Sequence, residues 1–448
     1  KHGIDLEIDA RPFKGFAASL PAKETLATTY PGTAAIARIN KGMDMVVIGG
    51  GPAGAALATF LTRLGHQCCL FEQAHFPRYH IGESLIPNTY TFFEKLGILP
   101  QLKKSDFPRK HSVRFVSPKG VETTPFYFSE RIQGESAVTW QVERGAFDQI
   151  MLNHAQCNGV IVKRGTRVER VLFEGDRANG LMVKQNGGGC FKVRASVVVD
   201  ASGRTTLLGN QLGLKRPVPC LEKSSVWGYY KHGARLPGID AGETTIFRTH
   251  KGGWFWYIPL PDDIVSVGLV DETNAIFGDL RDPKQRLLNE VRQCRPLVDR
   301  LREAVLTEPV RGLKNLAYYN THTCGPGWIM VGDARAFLDP IYSSGLFLAL
   351  GSAEAAAQCI HEALEGDDVS AVRLGKFESA LGDGVDTIHH LIKAFYDPTF
   401  SFGEFARRFP EQKTALVDCL IGDVIKDMSG FRQALEKMIP SPPSLQRL

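Results

Sequence analysis

The chain has 448 residues, 43% hydrophobic and 23% charged, which is the usage of an ordinary folded protein and argues against a disordered, collagen-like or membrane-embedded chain. Lys and Arg exceed Asp and Glu by five (53 against 48) without a dense basic block, so a mainly nucleic-acid partner is not expected. No apolar run reaches the ~18 residues that span a bilayer, and nine scattered cysteines without a CxxC pair predict free thiols in a reducing cytoplasm rather than a disulfide framework or a metal site.

Residues 1–42 show no sustained helical or strand period and contain Pro12, Pro21 and Pro31. This pattern is typical of a segment that lies outside a packed core. We therefore predict an N-terminal extension, or a remnant of expression, over residues 1–42.

The following segment predicts a β-α-β unit. Residues 45–48 predict a buried strand, residues 55–64 a helix, and residues 68–71 a second strand that ends at Glu72. A Gly-x-Gly-x-x-Gly turn joins the first strand to the helix, where its backbone can approach a pyrophosphate at the helix N-terminus. Glu72 is placed to accept the hydroxyls of a ribose. The predicted backbone contacts to the dinucleotide are Gly49, Gly50, Gly51, Ala53 and Gly54.

The middle of the chain predicts mainly strands, and its end predicts helices. A triple-glycine turn at residues 186–189 lies between two alternating segments and favours a hairpin over a phosphate loop. Residues 227–271 are rich in aromatic and β-branched residues, which predicts a larger mixed or antiparallel sheet. From about residue 284 the pattern is helical, and residues 346–364 predict a long helix.

Two further strand ends favour FAD over NAD as the dinucleotide. Residues 197–203 and 329–333 each carry an aspartate at the end of an apolar strand, where a carboxylate can bind a ribityl hydroxyl. Together with residues 141–148, they resemble the FAD-dependent monooxygenases of the aromatic-hydroxylase type. That resemblance places Asp333 and Arg144 beside the flavin. No second Gly-x-Gly-x-x-Gly on a strand indicates a nicotinamide domain.

Three other segments narrow this resemblance to the flavin-dependent halogenases, of the type that acts on phenols or pyrroles. They are residues 76–84, residues 253–259, which match that family's G-W-x-W-x-I-P, and residues 337–345, which match its F-x-x-P-x-x-S-x-G. The resemblance implies FAD, used as FADH2, with O2 and chloride or bromide. It also implies hypohalous acid that passes through a tunnel to a small aromatic substrate, free or bound to an acyl or peptidyl carrier protein, and a separate flavin reductase as partner.

The resemblance also implies roles for individual residues. It gives Lys110 as the catalytic lysine that handles hypohalous acid, whereas a cluster of bases alone would predict a solvated face. It gives Ser344 and Gly345, before the long helix, as the halide site, although a serine cap of that helix would show the same sequence. Glu83 either contacts the cofactor or caps a turn, and we predict the contact. Leu346 is also predicted to contact the cofactor.

Trp254 and Trp256 alternate along one predicted strand, so both indoles lie on one face. The resemblance interprets them, with Pro340, as the wall that separates flavin from substrate. An aromatic core strand is the plainer interpretation of the same spacing.

Two features depart from the expected patterns. Tryptophan-type halogenases have a glutamate where Tyr342 stands, so free tryptophan is not the expected substrate. His389 and His390 are adjacent on a predicted helix, where neighbouring side chains diverge by ~100°, so we predict a structural role and no metal.

Three alternatives remain open from the sequence. They are an aromatic hydroxylase, a reductase of the same fold, and a non-catalytic flavin-binding partner of a carrier protein. One group of aromatic residues lines a substrate cleft in one interpretation and packs a terminal lid in the other: Phe395, Tyr396, Phe400, Phe402, Phe405 and Phe409.

The predicted fold class is α/β (α+β), with a Rossmann-like FAD-binding domain interleaved with a mixed or antiparallel substrate sheet. Within residues 43–390 we assign the FAD parts to about 43–120, 141–215 and 310–365, and the substrate sheet to about 216–309. Residues 391–448 are predicted to form a helical C-terminal lid.

Overall fold

The computed structural model describes residues 42–278 and 282–444, without the side chains of residues 379 and 380. The predicted N-terminal extension lies outside the described residues, apart from Gly42. The strands are β1 (Met43–Ile48), β2 (Cys68–Glu72), β3 (Arg109–Lys110), β4 (Ser112–Val116), β5 (Phe126–Tyr127), β6 (Thr139–Trp140), β7 (Ile161–Arg164), β8 (Thr166–Glu174), β9 (Arg177–Gln185), β10 (Cys190–Asp200), β11 (Lys215–Pro217), β12 (Lys223–Lys231), β13 (Thr244–Arg248), β14 (Trp254–Pro259), β15 (Ile264–Glu272), β16 (Val305–Leu306), β17 (Arg311–Leu313), β18 (Tyr318–Asn320), β19 (Cys324–Gly325), β20 (Trp328–Met330) and β21 (Ala336–Phe337). The helices are α1 (Pro52–Arg63), α2 (Thr89–Leu96), α3 (Leu99–Lys104), α4 (Arg144–Cys157), α5 (Leu207–Gln211), α6 (Thr273–Phe277), α7 (Pro283–Gln293), α8 (Arg295–Arg300), α9 (Gly345–Glu365), α10 (Ala371–Leu374), α11 (Phe377–Tyr396), α12 (Phe402–Arg408), α13 (Lys413–Ile421) and α14 (Ser429–Glu436).

The first sheet is Rossmann-like, as the sequence predicts. Its order is β19-β20-β10-β1-β2-β7, and the five strands from β20 to β7 are parallel. Strands buried on both faces need continuous apolar runs, which explains why β1 and β2 contain so few polar residues. β10 pairs with three strands: its first half pairs antiparallel with β9, and its second half pairs parallel with β1 and β20. The β9–β10 hairpin encloses the glycine turn at residues 186–189, in agreement with the prediction.

The second sheet is mixed and mostly antiparallel, in the order β16-β12-β15-β14-β13-β4-β5 with β17 also on β12. Only the pairing of β4 with β13 is parallel within the described strands. The sheet draws on β4, β5 and β17, which lie outside the range 216–309 that the sequence suggested. Strand pairing between distant segments leaves no local pattern, so the sequence could not indicate that β4 joins this sheet.

One hydrophobic cluster connects the first sheet, the second sheet and the C-terminal helices. It contains Val47 of β1, Trp254 of β14 and Phe405 of α12. Two smaller clusters lie behind the first sheet and beneath α6 to α8. The described residues after 391 contain the end of α11 and the helices α12, α13 and α14. Phe405 is completely buried against the rings of Phe409 and Phe431. These aromatic side chains therefore pack a core. Among the described helices, none combines the length and apolar character needed to cross a membrane.

Candidate functional site

The glycine turn at the start of α1 has the geometry that a pyrophosphate requires. Gly49 has φ +101°, and a Cβ there would lie 2.5 Å from the Ala201 carbonyl oxygen. A Cβ on Gly54 would lie 2.1 Å from the Gly49 oxygen, so only glycine permits this close approach. α1 begins after Gly51 without a side-chain cap and without an acidic residue in its first turn, so its first N–H groups face outward without a partner side chain.

Glu72 lies beside this turn at the end of β2. Its Oε2 accepts a hydrogen bond from the Gly50 N–H at 2.8 Å, and its Oε1 accepts one from the Ala74 N–H at 2.8 Å. These bonds fix a buried carboxylate at the carboxyl edge of the parallel strands, where dinucleotides bind in such sheets. Each oxygen retains a second lone pair for a ribose hydroxyl.

The two strand-end aspartates differ in their surroundings. Asp200 is buried and accepts hydrogen bonds from the N–H groups of Ser202 and Leu208, so it closes its own turn. The Asp333 carboxylate accepts no hydrogen bond from any residue that the structure describes. Burial raises the pKa of Asp333, against the opposing charges of Arg204 and Arg144. An accessible carboxylate without a protein donor is what a ribityl hydroxyl would bind.

Arg144 is held in place between the predicted cofactor residues. Its guanidinium binds Asp148 through two hydrogen bonds of 2.9 and 3.1 Å, and its Nη1 donates to the Ile81 carbonyl at 2.7 Å. It interacts electrostatically with both Asp333 and Glu83. The fold thus brings together residues 83, 144 and 333, and together with the uncapped turn of α1 this chemistry fits FAD.

The N-terminus of α9 provides a place for an anion. Ser344 precedes the helix without capping it through its side chain, and the first turn contains no acidic residue. A Cβ on Gly345 would meet nothing closer than 3.8 Å, so the backbone is approachable there. Leu346, in the first turn, offers a backbone N–H without an intrahelical partner. Pro340 lies in the loop before the helix, where its carbonyl accepts from the Ser343 N–H at 3.1 Å.

The indoles of Trp254 and Trp256 lie on one face of β14, in the cluster that contacts the first sheet. Their ring centres are 6.2 Å apart, and Trp227 adds a third indole 6.4 Å from Trp256. Phe255 and Tyr257 point to the opposite side, into the cluster beneath α6 to α8. The alternation predicted from the sequence is therefore present in β14.

Lys110 is completely buried at the end of β3. Its Nζ donates to the Ser84 Oγ at 2.8 Å and to the Leu85 carbonyl at 2.9 Å, and it lies 5.6 Å from the centre of the Phe128 ring. Burial lowers the pKa of Lys110 to about 7, because a buried ammonium is poorly solvated, and the charge of Glu243 opposes this only in part. A lysine in this state is partly neutral near physiological pH.

The segment at residues 82–86 connects the lysine to the flavin residues. The Glu83 carbonyl accepts from the Val142 N–H, and the Leu85 N–H donates to the Trp140 carbonyl, so the segment is extended. Glu83 and Ser84 consequently point to opposite sides. Glu83 accepts from the Tyr229 hydroxyl at 2.7 Å, and burial raises its pKa, while Ser84 accepts from Lys110.

A polar group that the sequence analysis missed joins the loop of residues 337–345 to β14. Asp339 accepts a hydrogen bond from the Tyr396 hydroxyl at 2.9 Å, and that same hydroxyl accepts from the Trp254 indole at 2.8 Å. Burial raises the pKa of Asp339 to about 7. Tyr342 also meets α11, since its hydroxyl donates to the Leu391 carbonyl at 3.2 Å. Tyr396 could be found in the sequence only as one of several C-terminal aromatic residues.

Comparison with known proteins identifies the family. The family model for tryptophan halogenase matches residues 44–136 and 127–401. A 1H-pyrrole-2-carbonyl-[peptidyl-carrier protein] chlorinase from Pseudomonas fluorescens is 30% identical over 417 residues, which cover 88% of this chain and 92% of that one. The chain belongs to the flavin-dependent halogenase family. The resemblance drawn from its sequence motifs is therefore confirmed, and the halogenase is an enzyme whose family uses FAD with O2 and a halide.

Other relatives of the halogenase are similar over different extents. A tryptophan 2-halogenase from Chondromyces crocatus is 34% identical over 72% of the halogenase chain, but over only 62% of its own length. Among solved structures, the flavin-dependent brominase Bmp2 has a TM-score of 0.81 at 26% identity and covers 88% of this chain and 98% of that one. The myxobacterial chondrochloren halogenase CndH has a TM-score of 0.74 at 29% identity, over 88% and 95% of the two chains.

The paired histidines of α11 lie outside this site. The Nε2 of His390 lies 2.7 Å from the Ile439 carbonyl, and His389 is buried beside it. His390 thus connects α11 to the segment that follows α14, which is consistent with the structural role predicted for the pair.

Proposed function

We propose that this halogenase attaches chlorine or bromine to a pyrrole-2-carbonyl group that is bound to a peptidyl carrier protein. The observation that carries halogenation is the buried Lys110, which contacts Ser84 one residue away from the flavin-side Glu83. The carrier-bound pyrrole is supported by two relatives that match nearly end to end. One is the chlorinase described above, and the other is a 1H-pyrrole-2-carbonyl-[peptidyl-carrier protein] brominase from Pseudoalteromonas luteoviolacea, 28% identical over 89% of this chain and 97% of its own.

Each group of residues has a role in this proposal. Bound reduced FAD, with O2, supplies the oxidising equivalents that turn halide into hypohalous acid. The first turn of α1, Glu72, Arg144 and Asp333 bind and orient that cofactor, and the N–H groups at Ser344 and Gly345 hold the halide beside it.

The wall and the lysine direct the halogen to the substrate. Trp254 and Trp256 exclude the substrate from the flavin, which leaves Lys110 as the group that meets hypohalous acid. Its burial keeps water away from the electrophilic halogen, either through a hydrogen bond to the acid or through a haloamine. Tyr342 fills the position of the tryptophan-type glutamate with a buried aromatic side chain, which fits a neutral pyrrole better than an amino acid.

Two aspects of the cellular setting complete the proposal. In this proposal reduced flavin comes from a separate flavin reductase, the partner that membership of this family implies. The nine cysteines are all free, and Cys68 and Cys69 are adjacent and buried, which supports a reducing cytoplasmic setting.

The test compares a carrier protein loaded with the pyrrole-2-carbonyl group and free pyrrole-2-carboxylate. Each is incubated with the enzyme, FAD, a flavin reductase, NADH, O2 and chloride or bromide, and the products are measured by mass spectrometry. Lys110→Met should abolish the halogen isotope pattern while FAD binding persists. Lys104→Met removes an exposed lysine nearby and should have no effect.

The outcomes separate the parts of the proposal. A halogenated carrier-bound pyrrole with an unreacted free acid supports it entirely. Halogenation of free phenols or pyrroles alone contradicts the carrier-bound substrate, and an added oxygen without halogen contradicts halogenation itself. Unchanged turnover in Lys110→Met would remove the lysine from the mechanism.

A further inference from the structure

A second cluster of chemically reactive side chains lies at the far end of α9. His361 follows Gly345 by sixteen residues, about 24 Å along a helix that rises 1.5 Å per residue. His361 and Glu365 are one turn apart, so their side chains share a face of the helix. His66 lies opposite them, on the loop that joins α1 to β2.

The ligand atoms of these three residues converge. The Nε2 of His66 and the Nδ1 of His361 are 2.8 Å apart, and all three ligand atoms, including a Glu365 carboxylate oxygen, lie within 4.8 Å of one another. Ligands about 2.0–2.1 Å from a tetrahedral zinc ion are about 3.3 Å from each other. Changes of about 0.5 Å between the two imidazoles and of at most about 1.5 Å at the exposed Glu365 would bring the three atoms to that spacing.

The fold also orients the buried histidine. The helix α1 ends at Arg63, and Gly65, with φ +94°, turns the chain after it so that His66 meets His361 of α9. The other ring nitrogen of His66 faces the Asp44 carboxylate at 4.0 Å, and that carboxylate is fixed by the Gln67 N–H at 2.7 Å. A carboxylate behind a metal-binding histidine is the usual second partner in such sites.

We propose that His66, His361 and Glu365 bind a divalent transition-metal ion, with Asp44 orienting His66 from behind. The ion ties the α1–β2 loop of the flavin-binding unit to the helix whose other end holds the proposed halide site. This site goes beyond the proposed halogenation and takes no part in it.

The same atoms allow a simpler arrangement, in which one imidazole donates a hydrogen bond to the other. Zinc binding distinguishes the two. Untagged protein is freed of metal with a chelator, and its zinc affinity and stoichiometry are measured by competition with a chromophoric chelator. Its Tm is measured with and without Zn²⁺.

We expect one zinc ion per chain and a Tm that rises by a few degrees with zinc. His361→Gln and Glu365→Gln should weaken binding at least tenfold and remove the zinc-dependent rise in Tm. Glu365 is exposed, so its variant tests the site without disturbing the core. Asp44→Asn should weaken binding about tenfold. His322→Gln removes an exposed histidine elsewhere and should bind zinc like the wild type.

Either of two results would overturn the metal site. One is a wild-type protein that binds no stoichiometric zinc, which leaves only the contact between the two imidazoles. The other is equal zinc affinity in all variants, which would place the ion on other groups, such as the free thiols.

Discussion

Lys110 has its titrating nitrogen where water does not reach it. In the unfolded chain the amine keeps its proton up to about pH 10.5, whereas in the folded protein the pKa is lowered to about 7. Between these values the unfolded state binds more protons, so the folded state gains stability as pH rises and pays the full burial cost below pH 7.

The first prediction follows from this increase in stability with pH. One pKa unit corresponds to about 1.4 kcal/mol, so the stability of the wild type relative to Lys110→Met should rise by about 3 kcal/mol between about pH 6 and about pH 9. Urea unfolding of both proteins at several pH values measures this difference. A difference that does not change with pH would show that Lys110 is solvated in the native state.

The second prediction concerns the chemistry of the same amine. Only the neutral form can become a haloamine, so the halogenation rate should increase through about pH 7 and then level off. The measurement is the rate of product formation at saturating FADH2, supplied chemically so that the reductase does not limit it. A rate that falls above pH 7 would instead assign Lys110 the role of a charged hydrogen-bond donor.

At the scale of single elements, the pairing of β14 with β15 provides the space that the Trp256 indole occupies. Trp256 pairs with Gly268 of β15, and a Cβ at position 268 would lie 2.1 Å from the indole ring. The Trp256 indole therefore fits only because position 268, opposite it on β15, carries no side chain. This complementarity depends on the strand register, which the local sequence pattern does not indicate.

Gly268→Ala should displace the Trp256 indole and destabilise the protein by about 1–3 kcal/mol. Gly189→Ala, in the exposed turn of the β9–β10 hairpin, has nothing within 4 Å of the new Cβ and should leave the Tm nearly unchanged. Thermal unfolding compares the two. An equal effect of both substitutions would mean that Trp256 relaxes freely.

The helix α11 is coupled to the loop of residues 337–345, the proposed halide loop, through the hydroxyls of Tyr396 and Tyr342. Tyr396→Phe leaves the buried Asp339 without a donor at that oxygen and the Trp254 indole without an acceptor. We expect a loss of about 1–3 kcal/mol in stability and a higher KM for halide, since the loop that carries Ser344 loses an anchor.

The matched control for that hydroxyl is Tyr127→Phe. It removes a hydroxyl that donates to the partly exposed Asp240 at 3.1 Å, where water can replace the bond. Similar losses in the two variants, or an unchanged KM in Tyr396→Phe, would contradict the coupling.

At the scale of the whole molecule, one core joins both sheets. Val47 of the first sheet, Trp254 of the second and Phe431 of α14 belong to the same cluster, so the two sheets share their largest hydrophobic interior and should unfold together. Most of the proposed flavin residues lie at the edge of the first sheet, yet their ligand should stabilise the entire chain.

We therefore expect a single thermal transition, raised by a few degrees when FAD is present well above its Kd. Tryptophan fluorescence reports mostly on the second sheet through Trp254 and Trp256, and far-ultraviolet circular dichroism reports on all helices. Two separate transitions, or an FAD-dependent rise in Tm that only one of these probes detects, would contradict cooperative unfolding of the two sheets.

The sequence predicted those features whose constraints act between residues that are close together in the chain. The turn at Gly49 was predictable because its constraint acts within six residues, as the 2.1 Å approach to Gly54 shows. The bond between Trp254 and Tyr396 spans 142 positions, and the contact between His66 and His361 spans 295. No local pattern at these positions indicates either contact. The hydrogen bonds that anchor the loop of residues 337–345 and the histidine cluster are therefore visible only in the fold.

The alternation of Glu83 and Ser84 sets a rule for how such an enzyme can change. Because successive side chains of an extended segment face opposite ways, one inserted or deleted residue there would exchange the flavin side and the lysine side at every following position. A substitution at these positions keeps the alternation of side chains along the segment. An insertion or deletion of one residue would misplace Glu83 and Ser84 at the same time. New substrate specificities should therefore arise by substitutions around residues 82–86. The length of this segment should be the same in all relatives that catalyse the same reaction.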